Sequence, residues 1–544
     1  MLVSAVLGLV GLPQKAATQG LETASISTLP APRLVFSDQE MQLAQAVAQD
    51  PGLADFYGSN GLKPVFLGEQ GAARRQAVIA AVGQAASHGL PPARYRPEVL
   101  AALADGGVDS LDEELAFARA FERWTHDVTG GILDPQRVDP GIKRQVDRKG
   151  TGDLLRALVS SDNPAGFLSG LGPTDPRYAM LRDALTLQDK LTAPEGTPVV
   201  PEGTLRPGDS GVAVLALRER LGAMGFAAVP EAEVDRFDAT LATALAAFQT
   251  KAGMSADGIA GPRTVARLNR SAKSDPAILV ALERMRWMNG QDPMARQVWV
   301  NLPEFTARVM QDGREEFSTR VVIGKADPDY ETPEFSETMK YIVVNPRWNV
   351  PRSITVKEYL PRLQANRNAV AQLDVVDGAG RVIPRDRIDF RKYTAANFPY
   401  RMRQKPSDDN ALGQVKFMFP NPWNIYLHDT PTKHLFNQSS RAYSHGCIRI
   451  GRPIDLAHEV LSGQVGNPEA TFEKALKSGN ETFLNLRQPL PVHLVYFTAF
   501  PDADGQIQRF ADIYGRDAQV HAALVAAATR AARDSGLDFA VARD

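Results

Sequence analysis

The chain holds one cysteine, Cys447, within Arg441-Ala442-Tyr443-Ser444-His445-Gly446-Cys447-Ile448-Arg449-Ile450. His445 stands two residues before it, and His428 stands nineteen before it in Tyr426-Leu427-His428-Asp429-Thr430. These residue types suit acyl transfer. A thiol with a pKa near about 8.5 is only a few per cent ionised at neutral pH. A neighbouring imidazole can take its proton and hold the thiolate as an ion pair. The thiolate then attacks a carbonyl, and the imidazolium protonates the leaving amine. Backbone N–H groups at Gly446 and Cys447 are candidate oxyanion donors. Gly446 also leaves the chain beside the thiol free to take positive φ.

Spacing ranks the two histidines. In an extended strand, His445 and Cys447 would face one side with Cα atoms about 6.5–7 Å apart, loose for a direct hydrogen bond. His428, arriving on a neighbouring strand, can sit opposite the thiol with Cβ atoms about 4.5–5.5 Å apart. His428 is therefore the expected base, with His445 supporting the oxyanion or substrate site. Asp429 is expected to face away from His428 and is not assigned as its orienter. The same three side chains are legitimate zinc ligands. However, His-x-Cys is not a common paired-ligand spacing and no fourth ligand is evident, so no metal is expected.

These residues must be held by a strand-to-helix loop. Gly451-Arg452-Pro453 opens a helix carrying Ile454, Ala457, Val460 and Leu461, closed at Gly463. Short β-rich runs surround it at Val298–Leu302, Thr306–Met310, Ser318–Ile323, Tyr341–Val344, Met418–Leu427, Tyr443–Ile450 and Val492–Thr498. Between 352 and 405 the chain turns polar and partly helical, which predicts an insertion into this 295–515 β-rich domain. Upstream, 37–193 has helical periodicity, and a Pro- and Gly-rich linker follows. Residues 203–272 form a compact three-helix unit. There Asp238 caps a helix with Leu241, Ala244, Leu245 and Phe248 on one face, and Gly261-Pro262 opens the next. The Ala- and Arg-rich residues 516–544 predict a helical tail on the surface. The expected class is thus multidomain α+β.

Composition narrows the partners. Lys and Arg number 61 against 63 Asp and Glu, a net charge of −2 with no basic stripe, so no nucleic acid is expected. One cysteine excludes an internal disulfide and any multi-thiolate cluster. Met1–Leu12 is an apolar run resembling an export-signal core, although no Lys or Arg precedes it, and 1–36 is expected to be that signal-like segment plus a linker. In an oxidising compartment a lone thiol has no internal partner and stays available.

The pattern His428, a gap, then Ser444-His445-Gly446-Cys447-Ile448-Arg449 resembles the signature of the L,D-transpeptidase (YkuD-type) catalytic domain. Thr332-Pro333, Asn345-Pro346-Arg347-Trp348-Asn349-Val350-Pro351, Asn410 to Phe417 and His428-Asp429-Thr430-Pro431 are similar to its long, YcbB-like subgroup. That subgroup has a helical scaffold domain and a capping insertion. Gly208, Gly211, Val214, Leu217, Gly225, Phe237-Asp238, Phe248-Gln249, Asp257-Gly258, Gly261 and Thr264 resemble the peptidoglycan-binding three-helix module.

The resemblance implies a periplasmic enzyme of cell-wall biogenesis acting on peptidoglycan tetrapeptide stems as donor and acceptor. Cys447 would be the nucleophile and His428 the proton acceptor, with His445 and Gly446 in the catalytic loop. Ser444, Arg449 and Arg441 would meet substrate, Arg449 through a carboxylate or by bracing the loop. D-Ala would leave and a 3→3 link would form, without cofactors. Carbapenem acylation of the same thiol is implied too. Hydrolysis of the acyl-enzyme, as in an L,D-carboxypeptidase, or transfer to a lipoprotein are the alternatives.

Overall fold

The computed structural model describes residues 36–106, 109–230, 233–270 and 275–541, so the export-signal-like segment lies, but for its last residue, outside the described chain. The amino-terminal part is helical because its apolar residues repeat every three to four positions. The helices Asp38–Val47, Pro51–Ser59, Gly68–Gly83 and Thr151–Val159 surround Leu111–Gly130. Their shared core includes Phe56, Phe66, Phe117, Phe121, Trp124, Val128 and Leu155. Glu114 is fully buried there, and its carboxylate accepts from Val65 N (2.8 Å), Phe66 N (2.8 Å) and the Tyr57 hydroxyl (2.5 Å). A buried charge is tolerated only when its lone pairs are filled in this way.

The three-helix unit follows its sequence pattern. Helices Val212–Ala223, Ala239–Lys251 and Pro262–Leu268 bury Val214, Leu217, Leu221, Leu241, Leu245 and Phe248 together. The Asp238 carboxylate accepts from Leu241 N at 2.9 Å and so caps the second helix.

The catalytic-type region is built on strands β1 (Gln297–Asn301), β2 (Thr306–Gln311), β3 (Arg314–Gly324), β4 (Phe335–Val344), β5 (Trp348–Asn349), β6 (Leu373–Val376), β7 (Arg401–Gln404), β8 (Val415–Met418), β9 (Leu427–His428), β10 (Ala442–Ser444), β11 (Ile448–Ile450) and β12 (Thr482–Val495). The main sheet runs β10-β3-β11-β9-β8-β4-β12-β1-β2, and β2 pairs back onto β3, closing the sheet on itself. Its interior holds Val300, Val309, Ile342, Phe417, Leu427, Ile448 and Leu494, packed against Leu456, Val460 and Leu461 of the helix Pro453–Leu461. The insertion forms a separate sheet, β5-β7-β6, around Leu363, Leu373, Val375, Phe390, Phe398 and Met402.

Three expectations are corrected. The run Met418–Leu427 is not one strand: Pro420 and Pro422 cannot supply ladder N–H groups, so β8 ends and β9 starts after a turn. The run Tyr443–Ile450 breaks at Gly446, whose φ is +105°. The carboxy-terminal helix, Arg516–Val541, is not a surface tail in its first turns. Val520, Leu524 and Ala527, spaced i, i+4 and near i+7, are buried among Leu133, Ile142, Val280 and Trp287. Arg516 is fully buried at its start, bonded to Glu331 (3.0 Å) and Glu334 (3.4 Å).

Candidate active site

The closed sheet decides which side chains meet. In β8 and β9, Lys416 is opposite His428; in β9 and β11, His428 is opposite Arg449. The three form one cross-strand row. Ile448 N donates to Tyr426 O at 3.1 Å, so Cys447 is level with Tyr426 rather than with His428. This corrects the expected pairing: the histidine sits diagonal to the thiol, because the parallel register puts Arg449 opposite it. All five polar or reactive side chains share the outer face, since the alternate residues Phe417, Leu427 and Ile448 point into the core.

Tyr426 links the two groups. Its ring lies 5.6 Å from that of His428, and its hydroxyl meets the Cys447 thiol and the Trp348 indole. Burial and the thiol hold that phenol well above its ordinary pKa. The Cys447 Sγ donates to Asn424 O at 3.6 Å, a long contact in a half-buried site.

His428 is buried, and its Nδ1 meets the carbonyl of Asp429 at 2.5 Å. A carbonyl only accepts, so Nδ1 carries the proton and Nε2 keeps its lone pair, as a base requires. The orienter is thus the Asp429 main chain. The Asp429 carboxylate turns away, as the sequence suggests, to accept from Gln414 N (2.9 Å) and Thr430 N (2.6 Å) and to pair with Lys433. A Cβ on Gly413, at φ +57°, would collide with it.

Burial disfavours the charged form of both partners. Burial, then Arg449, push His428 down to about 3, with Lys416 and Lys433 adding to this against the Asp429 carbonyl. Burial pushes the Cys447 thiol up to about 11, although Tyr426, Arg449 and Lys416 pull the other way. Both shifts run toward a neutral thiol and a neutral imidazole, against the expected thiolate–imidazolium pair. The arrangement instead suits proton transfer during attack, with a neutral imidazole accepting as the sulfur–carbon bond forms.

The loop itself is tied from within. Ser444 is buried, donates from Oγ to Cys447 O (2.5 Å) and accepts from Gly446 N (3.1 Å). Ser444 is thus a brace rather than a substrate contact, and the Gly446 N–H is occupied. Cys447 N–H remains the candidate oxyanion donor. Its peptide plane is set by Thr332, whose hydroxyl donates to Gly446 O at 2.8 Å and accepts from Gly324 N at 2.9 Å. In a trans peptide, a carbonyl fixed toward Thr332 sends the following N–H to the other side.

Arg441 is likewise a brace. Its guanidinium donates to Gln438 O (2.9 Å), Phe305 O (3.2 Å) and Val321 O (3.2 Å) and lies over the Phe305 ring. Arg449 stays half-buried in the row, donating to Thr432 Oγ1 at 3.2 Å. His445 points to the insertion: its Nε2 meets Glu358 Oε1 at 2.5 Å and its ring meets Tyr330 edge-on at 4.8 Å. Trp423 packs on Phe335 at 4.7 Å. His88 and His493 are buried structural groups, bonded to Tyr178 and Ser336.

Sequence reasoning passed over Lys416, Tyr426, Thr332 and Glu358. Strand alternation carries a signal for Tyr426, two residues from His428. Glu358 has none, because it arrives from the helical segment Thr355–Tyr359 of the insertion. Among the described residues no group of three or more His, Cys, Asp or Glu is arranged to hold a metal ion.

Residues 295–468 match the family model "L,D-transpeptidase catalytic domain", 51–185 match "Scaffold domain" and 210–268 match "Putative peptidoglycan binding domain". A protein of Haemophilus influenzae named "Putative L,D-transpeptidase" is 35% identical over 230 residues, covering 42% of this chain and 46% of that protein. The chain thus matches about half the length of that relative. A crystal structure of an L,D-transpeptidase from Xylanimonas cellulosilytica overlays at 15% identity and TM-score 0.14, covering 55% of this chain and all of that one. A fused zinc-dependent amidase, peptidase and peptidoglycan-binding protein from Clostridium acetobutylicum overlays at 12% identity and TM-score 0.15, covering 54% and all respectively. The three matched regions follow one another in the order scaffold, peptidoglycan-binding and catalytic, and residues 295–468 carry an L,D-transpeptidase catalytic domain.

Proposed function

We propose that this protein joins peptidoglycan stems by 3→3 cross-links through a Cys447 thioester. Nε2 of His428 takes the thiol proton as Sγ attacks the carbonyl at the L-centre of diaminopimelate in a tetrapeptide donor. The oxyanion is held at Cys447 N–H. The carbon–nitrogen bond to the terminal D-Ala then breaks, and the proton on His428 passes to the departing amine. The side-chain amine of a second stem attacks the thioester, gives its proton to His428 and releases the thiol. No atom is left over and no cofactor enters.

The observation that supports this reading best is the single outer face shared by Cys447 and a neutral His428 with its Nδ1 fixed on the Asp429 carbonyl. One observation favours a second reading of the base. His445, not His428, has a carboxylate partner, Glu358 at 2.5 Å, and a carboxylate-oriented histidine is the usual triad arrangement. The position of Glu358, in the helical segment Thr355–Tyr359 of the insertion, instead supports His445 as the anchor between cap and motif loop.

The test is incubation with disaccharide-tetrapeptide, followed by mass spectrometry of the products. A cross-linked dimer lacking one D-Ala supports the proposal. Tripeptide alone supports an L,D-carboxypeptidase, and product only with a lipoprotein acceptor supports that transfer. No product, with Cys447→Ala indistinguishable from the parent, sinks all three. A periplasmic site and carbapenem acylation belong to the same proposal. Cell fractionation checks the first, and a mass increase on Cys447 after carbapenem treatment checks the second.

A further inference from the structure

The row Lys416–His428–Arg449 contains two cations that the chemistry above does not use. Both are half-buried on the outer face, and each is one strand away from the imidazole. Neither is in an ion pair among the described residues. Arg449 bonds only the neutral Thr432 hydroxyl, and Lys416 lies over the Tyr426 ring at 5.7 Å. The carboxylate whose field Lys416 feels, Glu481, accepts from Arg347 N at 2.9 Å. Other cations nearby are neutralised: Lys433 by Asp429, and Arg452 by Asp455 at 2.7 Å. Two cations with no ion-pair partner among the described residues, held partly out of bulk water on either side of a base, need a reason, because burying charge without a close counter-charge is unfavourable.

The leaving group supplies one. If His428 returns the proton to the departing amine, that nitrogen must lie over Nε2. The carboxylate of a C-terminal residue is two bonds from its nitrogen, so it must come down beside His428, where Lys416 and Arg449 stand. We propose that Lys416 and Arg449 form a subsite for the free carboxylate of the departing C-terminal residue, with Lys416 its specificity-determining residue. The inference rests on the acyl-transfer reading of Cys447 and adds to it the residues that select a donor ending in a free carboxylate next to the scissile bond. Arg449 offers a planar fork and Lys416 a point charge, so the two embrace the carboxylate from different strands.

The test compares donor tetrapeptide with its C-terminal amide on the full chain. The parent should favour the acid by about tenfold or more in kcat/KM, the size expected for a charge-assisted hydrogen bond. In Lys416→Met that preference should collapse toward unity, and Lys416→Arg should restore most of it. Equal use of acid and amide by the parent overturns the proposal, as does a preference unchanged in a folded Lys416→Met. A second measurement needs neither turnover nor a variant. D-alanine should slow iodoacetamide modification of Cys447 in the parent, while D-alaninamide should not. Equal protection by both, or by neither, overturns the subsite. Failure of the parent to process either donor, with protection by D-alanine retained, overturns the transferase reading and leaves the carboxylate site standing.

Discussion

Replacing Thr332 with valine should disable the oxyanion donor without touching any residue that meets substrate. Thr332 is 0% exposed, and its hydroxyl makes two bonds, accepting from Gly324 N at 2.9 Å and donating to Gly446 O at 2.8 Å. Valine keeps the shape but leaves a buried N–H and a buried carbonyl unsatisfied, at about 1–3 kcal/mol each. The local cost is therefore about 2–6 kcal/mol, enough to let the peptide between Gly446 and Cys447 rotate. Gly446 already sits at φ +105°, so it has no Cβ to resist that rotation. Losing one aligned oxyanion donor slows acyl transfer by about 10²–10³-fold. Partial realignment on substrate binding should bring this nearer the lower end. The assay is the rate of acyl-enzyme formation followed by intact-protein mass, with Thr332→Ser as control. Serine retains the hydroxyl and should acylate near the parental rate. A folded Thr332→Val that acylates within about threefold of the parent would refute the reasoning.

Other outcomes follow from the same geometry. With the thiol pushed up to about 11 and His428 down to about 3, thiolate is scarce at neutral pH and its fraction rises as pH rises. Iodoacetamide modification of Cys447 should therefore accelerate about tenfold per unit between pH 7 and 9.5. A plateau below pH 8 would mean a standing ion pair. His428→Ala should slow acylation by about 10²–10⁴-fold, the usual contribution of a general base, whereas His445→Ala should act mainly through the cap. The reverse order in the same mass-based rate assay makes His445 the base. Arg516→Met leaves Glu331 without its buried cation and Glu334 with Arg284 alone, and should destabilise the junction by about 3–5 kcal/mol. A thermal transition unchanged from the parent would show that this network carries no stability.

How much of this was legible in the sequence depends on the range of each interaction. The helices around Leu111–Gly130 and the cap at Asp238 follow from local periodicity and local hydrogen bonds, and they appear where the spacing puts them. The chemistry-bearing residues were legible too, because Cys447 is the one thiol and His428 and His445 precede it within a short span. Register was not. Whether His428 faces Cys447 or Arg449 turns on a two-residue shift between parallel strands, which no local pattern encodes. The partner of His445 lies 87 positions away in the insertion, and Thr332 reaches Gly446 across 114. Ser444 and Arg441 carry the polarity of substrate ligands, yet their donors go to main-chain carbonyls, a choice made only when the loop is folded. The tail was misread because its alanines look solvent-tolerant, while Val520 and Leu524 mark a packed face.

The central claim is that Cys447 carries the acyl group. Intact-protein mass spectrometry after brief mixing with tetrapeptide donor, quenched in acid, tests it most directly. The expected result is a mass gain equal to the donor minus D-alanine, localised by peptide mapping to Cys447, absent from Cys447→Ala and strongly reduced in His428→Ala. Products formed at the parental rate by Cys447→Ala, or an adduct mapping to another residue, would contradict the account.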